Sequence, residues 1–336
     1  MYILGMESSC DETSAAVIEM GEGVRRIKSD IVASQIDIHR LYGGVVPEIA
    51  SRAHIEAISK ITHEALDTAG ITLADVGAVA VTTHPGLIGA LLVGVNFAKS
   101  LAFANNIPLI SVNHIHGHIA AAYLTDTTLE PPFLSLVVSG GHTSFYLVND
   151  YTDIAEIGGT RDDAAGEAFD KIGRVIGMPY PGGAALDKLA YEGDKSKYRL
   201  PSPALIGDNL DFSFSGLKTA ALNIINSANQ KGEEIDRASI SASYTHTIVR
   251  GIVKKTSLAL DKNADVKTFV LAGGVAANSH IRAALDELCK SRGIKFIVPD
   301  RSLCGDNGAM IAAAGYYEYL RGQRSDTSLN ARATDY

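Results

Sequence analysis

Two apolar rhythms alternate along the chain. Short apolar runs split by polar turns predict strands, and apolar residues recurring every three to four positions predict helices. Residues 2–9, the polar turn Ser9–Ser14 and the apolar run 15–18 predict a β-hairpin, and LSLVV, Ser139–Ser144 and FYLV repeat that pattern within residues 134–148. Helical periodicity, bounded by Gly or Asn, predicts helices at 47–69, 86–104, 163–176, 184–192, 216–229, 235–261, 275–292 and 306–321.

Two further segments recur in the same order. A buried strand, a Gly turn and a helix occupy residues 78–104 and again 268–292, and the strand at 107–112 leads through NHIHGH into a helix as the strand at 294–299 does through CGDNGAM. A long-period repeat of this kind implies a duplicated α/β unit rather than a solenoid. The expected architecture is two mixed-sheet lobes with a cleft between them, 1–130 and 131–305, with a helical insertion at 160–215. The helix at 306–322 is expected to pack back on the first lobe. The helix starts at His114 and Asp306 are expected to face each other from opposite lobes, and the polar tail from Arg324 to be loosely held.

At 336 residues the chain has room for about two domains. A net charge of −8, from 30 basic and 38 acidic side chains, excludes indiscriminate nucleic-acid binding and requires a local basic patch for any RNA substrate. Arg25, Arg26, Lys28, Lys195, Lys197 and Arg199 are candidate phosphate contacts, with a solvated surface as the simpler reading. Three cysteines without a CxxC fit a reducing compartment. With no leader-like N-terminus and no uninterrupted apolar span, the expected location is the cytoplasm, with no membrane partner.

The densest chemistry is His114-Ile-His-Gly-His118. At i and i+4 on a helix start the outer two share one face and can chelate a metal, with Asp306 as third ligand. Two imidazoles and a carboxylate leave open positions, a catalytic pattern suited to iron or zinc. The Glu that a zinc protease of the HExxH type needs is missing. His116 points away from the pair and reads as structural. The Ser139-Gly140-Gly141 turn exposes backbone amides to an anion, and Gly273-Gly274 beside Asn278 offers a second glycine surface for an adenosine or phosphate. Asp170 and Asp187 could accept ribose hydroxyls or sit as solvated helix carboxylates. Asp11 and Glu12 are either turn residues or cleft-facing acids. Ser215 is expected to cap the following helix, with Phe212 and Phe214 in the core.

Together ESSCDETS, NHIHGH, VVSGGHT, GGTRDDAAGEAFDK, YPGG, FSFSGLKTA, LAGGVAAN and CGDNGAMIA resemble the bacterial TsaD (Gcp) family, the tRNA threonylcarbamoyladenosine transferases. The resemblance spans residues 7–314 and implies a fold like actin, the heat-shock ATPases and the sugar kinases. It implies transfer of threonylcarbamoyl from threonylcarbamoyl-AMP to the exocyclic amine of the adenosine 3′ of the anticodon, in tRNAs reading codons that begin with A. It also implies one iron or zinc on His114, His118 and Asp306, and substrate contacts at Val137, Val138, Ser139, Gly140, Gly141, Asp170, Gly183, Asp187 and Asn278. Implied partners are tRNA, a TsaB-like paralogue and a TsaE-like ATPase. Pairing with the paralogue is expected through small residues of 47–104, including Ala50, Ala53, Ala90 and Gly94. Asp11 and Glu12 are the candidate general bases. The rival readings are an ATP-dependent sugar or acetate kinase of the same fold, whose magnesium would prefer oxygen ligands, and a non-catalytic nucleotide-binding module.

Overall fold

The computed structural model describes residues 1–334. They divide into two compact units, one of Met1–Pro131, Asn149–Ile154 and Pro299 onward, the other of Pro132–Val148 and Ala155–Val298.

The first unit is built on a five-stranded mixed sheet of β1 (Tyr2–Glu7), β2 (Glu12–Gly21), β3 (Val24–Ser34), β4 (Val76–His84) and β5 (Leu109–Asn113), in the order β3-β2-β1-β4-β5. The hairpin strands run antiparallel and β1, β4 and β5 run parallel. Its helices are α1 (Ile36–Arg40), α2 (Pro47–Ala69), α3 (Ile88–Asn105) and α4 (His114–Thr125), and from the C-terminal segment α10 (Arg301–Cys304) and α11 (Gly308–Leu320).

The second unit repeats the plan. The strands β6 (Phe133–Val138), β7 (Thr143–Val148), β8 (Ile154–Gly159), β9 (Thr268–Ala272) and β10 (Lys295–Ile297) order as β10-β9-β6-β7-β8, so β6 stands where β1 does and β9 where β4 does. Again the hairpin is antiparallel and the β6–β9–β10 pairs parallel. The helices are α5 (Ala165–Val175), α6 (Gly182–Leu189), α7 (Ser215–Gln230), α8 (Arg237–Lys262) and α9 (Ser279–Arg292). The expected insertion at 160–215 is mostly loop, with α5 and α6 as its only α-helices before α7.

A core of Leu4, Met6, Val17, Val79 and Val81 from the sheet meets Leu91, Val95 and Ala98 of α3. Burying each large aliphatic side chain there contributes about 1.5–3 kcal/mol. α3 has the length and mean hydropathy of a membrane span. It packs against β4 and α2 as a core helix.

α11 lies directly on the β1–β2 backbone. A Cβ on Gly5 would collide with the Gly308 carbonyl and the Ala312 amide, and one on Gly308 would meet the Ala16 amide. Glycine at both positions therefore permits the contact that seats the start of α11, and Asp306 just before it, beside the first hairpin.

Three expectations need correction. Asp306 belongs to the same unit as His114 and His118, because the chain returns to the first unit at Pro299. The amide of Asp300 donates to Thr125 Oγ1 at 3.1 Å, which ties this return to the end of α4. Residues 149–154 also join the first unit, with Tyr151 stacked on Tyr317 at 4.0 Å. Up to residue 334 the tail is held rather than loose, its last two residues lying outside the described ones: Ser325 pairs with Leu109, Leu329 and Ala331 join the core, and Arg332 donates its amide to the Thr83 carbonyl.

Candidate active site

α4 begins at His114 because Asn113 Oδ1 accepts the amides of Ile115 at 2.7 Å and His116 at 3.3 Å. One turn later His118 stands beside His114, the ring centroids 4.6 Å apart and edge-on. Asn307 plays the same part for α11, accepting the Met310 amide at 2.8 Å. Its neighbour Asp306 presents Oδ1 3.2 Å from His118 Nε2 and 3.6 Å from His114 Nε2. One ligand atom from each residue fits within 4.8 Å of the other two. His116 lines a separate small cavity with Asn113, Tyr123, Tyr151 and Glu318.

The donor set suits a cation. Both ring nitrogens of His118 are buried and make no hydrogen bond, and an unpartnered buried polar group is costly. An ion held by the two imidazoles and the carboxylate would engage the Nε2 that faces Asp306, and the His/His/Asp chemistry matches iron or zinc better than magnesium.

The turn between β1 and β2 packs around this cluster. Glu7, buried at the end of β1, reaches His114 Nδ1 with Oε2 at 2.9 Å. Thr82 Oγ1 donates to the same oxygen at 2.7 Å, and the Ser9 amide donates to Oε1. His54 from α2 braces the turn between Thr13 Oγ1 at 2.7 Å and the Cys10 carbonyl at 3.0 Å, and burial holds its pKa below the usual value. Burial and the carboxylates of Asp306 and Asp11 push Glu12 up to about 9. Burial and the same two aspartates push the Cys10 thiol far up. Glu12 thus lies in the electrostatic neighbourhood of both Asp306 and Asp11.

In the second unit Val137 and Val138 are buried on β6, and the Ser139 amide closes the hairpin on the His142 carbonyl at 2.8 Å. Gly140 and Gly141 are exposed, and a side chain at either would meet nothing within 4 Å. Gly166, at the start of α5, packs so closely that a Cβ would strike the Ser139 carbonyl and the Gly140 backbone. Asp170 Oδ1 accepts the Gly183 amide at 3.1 Å, joining α5 to α6. Asp187 on α6 accepts from the Ser279 amide and hydroxyl and lies 2.8 Å from His280 Nδ1, joining α6 to α9. Asn278 Oδ1 caps α9 through the Ile281 amide. These contacts join Asp170 with Gly183 and Asp187 with the start of α9, and the hairpin turn meets α5 at Gly166.

Some residues escaped sequence reasoning. Glu7 lay inside the quoted ESSCDETS motif but read as the end of an apolar strand. His280 and exposed Tyr191, whose rings lie 4.1 Å apart, had no signal beyond following LAGGVAAN and Asp187 respectively. Other residues proved structural. Ser215 does not cap α7; the Asp162 carboxylate accepts the Phe214 and Ser215 amides instead. Phe212 and Phe214 are core residues as expected. Arg25 is a clasp rather than a phosphate contact, donating to the Leu129 carbonyl and Tyr151 hydroxyl and lying 5.2 Å from the Tyr123 ring centre.

The sequence matches the family described as TsaD, tRNA N6-adenosine threonylcarbamoyltransferase, over residues 26–313. A protein of that name from Clostridium botulinum strain 657 is 52% identical over 330 residues, which are 98% of this chain and 96% of the relative. One from Clostridium perfringens SM101 is 51% identical over the same shares of both chains. Among solved structures, full-length HypF in a phosphate- and nucleotide-bound form aligns with TM-score 0.62 and 17% identity, over 96% of this chain and 47% of that one. Component A of Acidaminococcus fermentans (R)-2-hydroxyglutaryl-CoA dehydratase aligns with TM-score 0.56 and 14% identity, over 95% of this chain and 99% of that one. These last two likenesses bear on the fold alone.

Proposed function

This chain belongs to the tRNA N6-adenosine threonylcarbamoyltransferase (TsaD) family, and from that premise we propose how its residues carry out the transfer. The observation that carries the reading is 52% identity to a transferase of that name across nearly the whole of both chains. The kinase and binding-module readings lose their support accordingly.

We infer that the donor is threonylcarbamoyl-AMP and the acceptor the adenosine 3′ of the anticodon in tRNAs reading codons that begin with A. N6 attacks the carbamoyl carbon, the bond from that carbon to the AMP phosphate breaks, N6 gives up a proton and AMP departs. Adenylate is already a good leaving group, so the chain must chiefly position the two reactants and stabilise charge.

His114, His118 and Asp306 would hold the ion, iron or zinc. Bound there, it supplies Lewis-acid polarisation of an oxygen and a template for the threonyl carboxylate or phosphate. The Ser139–Gly141 turn offers amides to the adenylate, carried by Val137 and Val138. The Gly183 amide, fixed by Asp170, and the α9 start, fixed by Asp187 and Asn278, border that surface. Asp11 or Glu12, at the turn that packs around the metal ligands, is the proposed acceptor of the N6 proton.

As partners we propose a TsaB-like paralogue and a TsaE-like ATPase, in the cytoplasm where tRNA is available. Of the small residues expected to face the paralogue, Ala50 and Ala90 are buried and Gly94 packs on Ser8, while Ala53 is half-buried. The exposed apolar residues of α2 and α3, Ile55, Ile88 and Phe103, take their place in the proposed pairing.

The test is to incubate the chain and its partners with threonylcarbamoyl-AMP and tRNA, and to measure modified adenosine and AMP together. The two should appear one for one. AMP release unaccompanied by modification, or phosphorylation of a sugar at the expense of ATP, would contradict the reading.

A further inference from the structure

Glu7 is a fully buried carboxylate, with a side chain 0% exposed, at the end of a central strand. A buried carboxylate is costly unless its oxygens are hydrogen-bonded and its charge is balanced. Its oxygens are occupied: the Ser9 amide holds Oε1, while Thr82 Oγ1 and His114 Nδ1 meet on Oε2. Its charge is not balanced by any Lys or Arg ion pair among the described residues. What lies beyond it is an imidazole whose other nitrogen is turned toward Asp306, at 3.6 Å.

We propose that Glu7 is the positioning residue of the metal site: it fixes His114 in the Nδ1–H tautomer, so that Nε2 offers its lone pair where His118 and Asp306 converge. The assignment rests on the metal reading given above and deepens it. A carboxylate that accepts the far N–H of a ligating histidine fixes the ring and raises its basicity. Here the carboxylate is itself locked by Thr82 from β4 and by the Ser9 backbone, so the orientation of His114 is built into the sheet. Ser9 Oγ, 3.1 Å from the same Nδ1, provides a second acceptor for that proton. His118 has no comparable partner, its Nδ1 being buried without a hydrogen bond. The two histidines are therefore unequal: His114 is oriented before any ion binds, and His118 is oriented by the ion.

The test compares wild type, Glu7→Gln and His118→Ala as purified full-length chains stripped of metal. Zinc affinity is measured by chelator competition, and histidine tautomers are read from nitrogen-15 shifts. In wild type His114 should carry its proton on Nδ1 before zinc is added. Glu7→Gln keeps the shape but weakens the acceptor; it should lose about 10–100-fold in zinc affinity and give a mixture of His114 tautomers. Zinc affinity within twofold of wild type in Glu7→Gln, or a wild-type His114 protonated on Nε2, would overturn the proposal. The tautomer of the wild-type chain decides the matter even if Glu7→Gln fails to fold. Failure of wild type to bind zinc or ferrous iron at all would instead refute the metal reading, a result distinct from equal binding by wild type and Glu7→Gln.

Discussion

Asn307 takes the helix cap at the start of α11, and Asp306 beside it brings Oδ1 within 3.2 Å of His118 Nε2. Either residue could have capped the helix by its chemistry. The division holds because Asn307 is fully buried, with its amide nitrogen donating to the Leu303 and Gly305 carbonyls.

Substitution at the two positions should therefore have opposite consequences. Asp306→Ala is expected to strip most of the metal while unfolding stays cooperative. Asn307→Ala should lower stability by about 1 kcal/mol or more through loss of the cap. Metal analysis and urea unfolding on both variants check this, and full metal occupancy in Asp306→Ala would remove that residue from the site.

Asp30 gives a pH prediction outside the metal cluster. Burial pushes its carboxyl up to about 6, although Ser14 and the Gly308 and Ala309 amides hydrogen-bond it. An unfolded aspartate titrates near 3.9, so the folded chain holds this proton more tightly. The sign follows: the contribution is fully favourable below about pH 4 and is lost as pH rises through 6. Asp30→Asn should raise stability at pH 7 by about 1–3 kcal/mol and change little near pH 4. A variant less stable than wild type at pH 7 in urea unfolding would contradict it.

The duplication was legible because its signal is local: two hairpins, two strand–turn–helix units and two strand–loop–helix units recur in order. The candidate ligands were legible for a related reason: His114 and His118 share a helix face, and the repeat matches the helix start at Asp306 with theirs. What escaped reading depends on tertiary return of the chain. The helix at 306–322 was expected to pack back on the first lobe, but the repeat, which matches its start with that of the helix at His114, set Asp306 opposite His118 rather than beside it. Arg25 looked like a phosphate contact because its three-tyrosine setting comes from positions 123, 151 and 317. Glu7 was hidden because a carboxylate ending an apolar strand looks like an edge residue, and only the fold brings Thr82 and His114 to it.

Gly140 and Gly166 separate binding from architecture on the hairpin. A side chain at Gly140 meets no protein atom, whereas one at Gly166 strikes the Ser139 carbonyl. Gly140→Val should leave thermal stability unchanged and weaken adenylate binding at least tenfold by crowding the amides. Gly166→Ala should lower both stability and binding. Unchanged affinity of Gly140→Val in calorimetry would make the hairpin purely structural.

With a net charge of −8, the isolated chain should bind tRNA weakly and with steep salt dependence. Addition of the proposed partners should tighten binding. A titration of tRNA affinity against salt, for the chain alone and for the complex, measures both effects. Tight binding by the isolated chain, insensitive to salt, would contradict this electrostatic picture.

The central claim is that the His114, His118 and Asp306 centre serves threonylcarbamoyl transfer to tRNA. Its most direct measurement is the yield of threonylcarbamoyladenosine, quantified by mass spectrometry of digested tRNA. The reaction contains threonylcarbamoyl-AMP, substrate tRNA and the partner proteins, with either the wild-type or the His118→Ala chain. The account predicts modification at the adenosine 3′ of the anticodon with wild type, and a loss of at least a hundredfold with His118→Ala, in parallel with loss of bound metal. Equal yields from the two chains, or no modification by a wild-type chain that carries its metal, would contradict it.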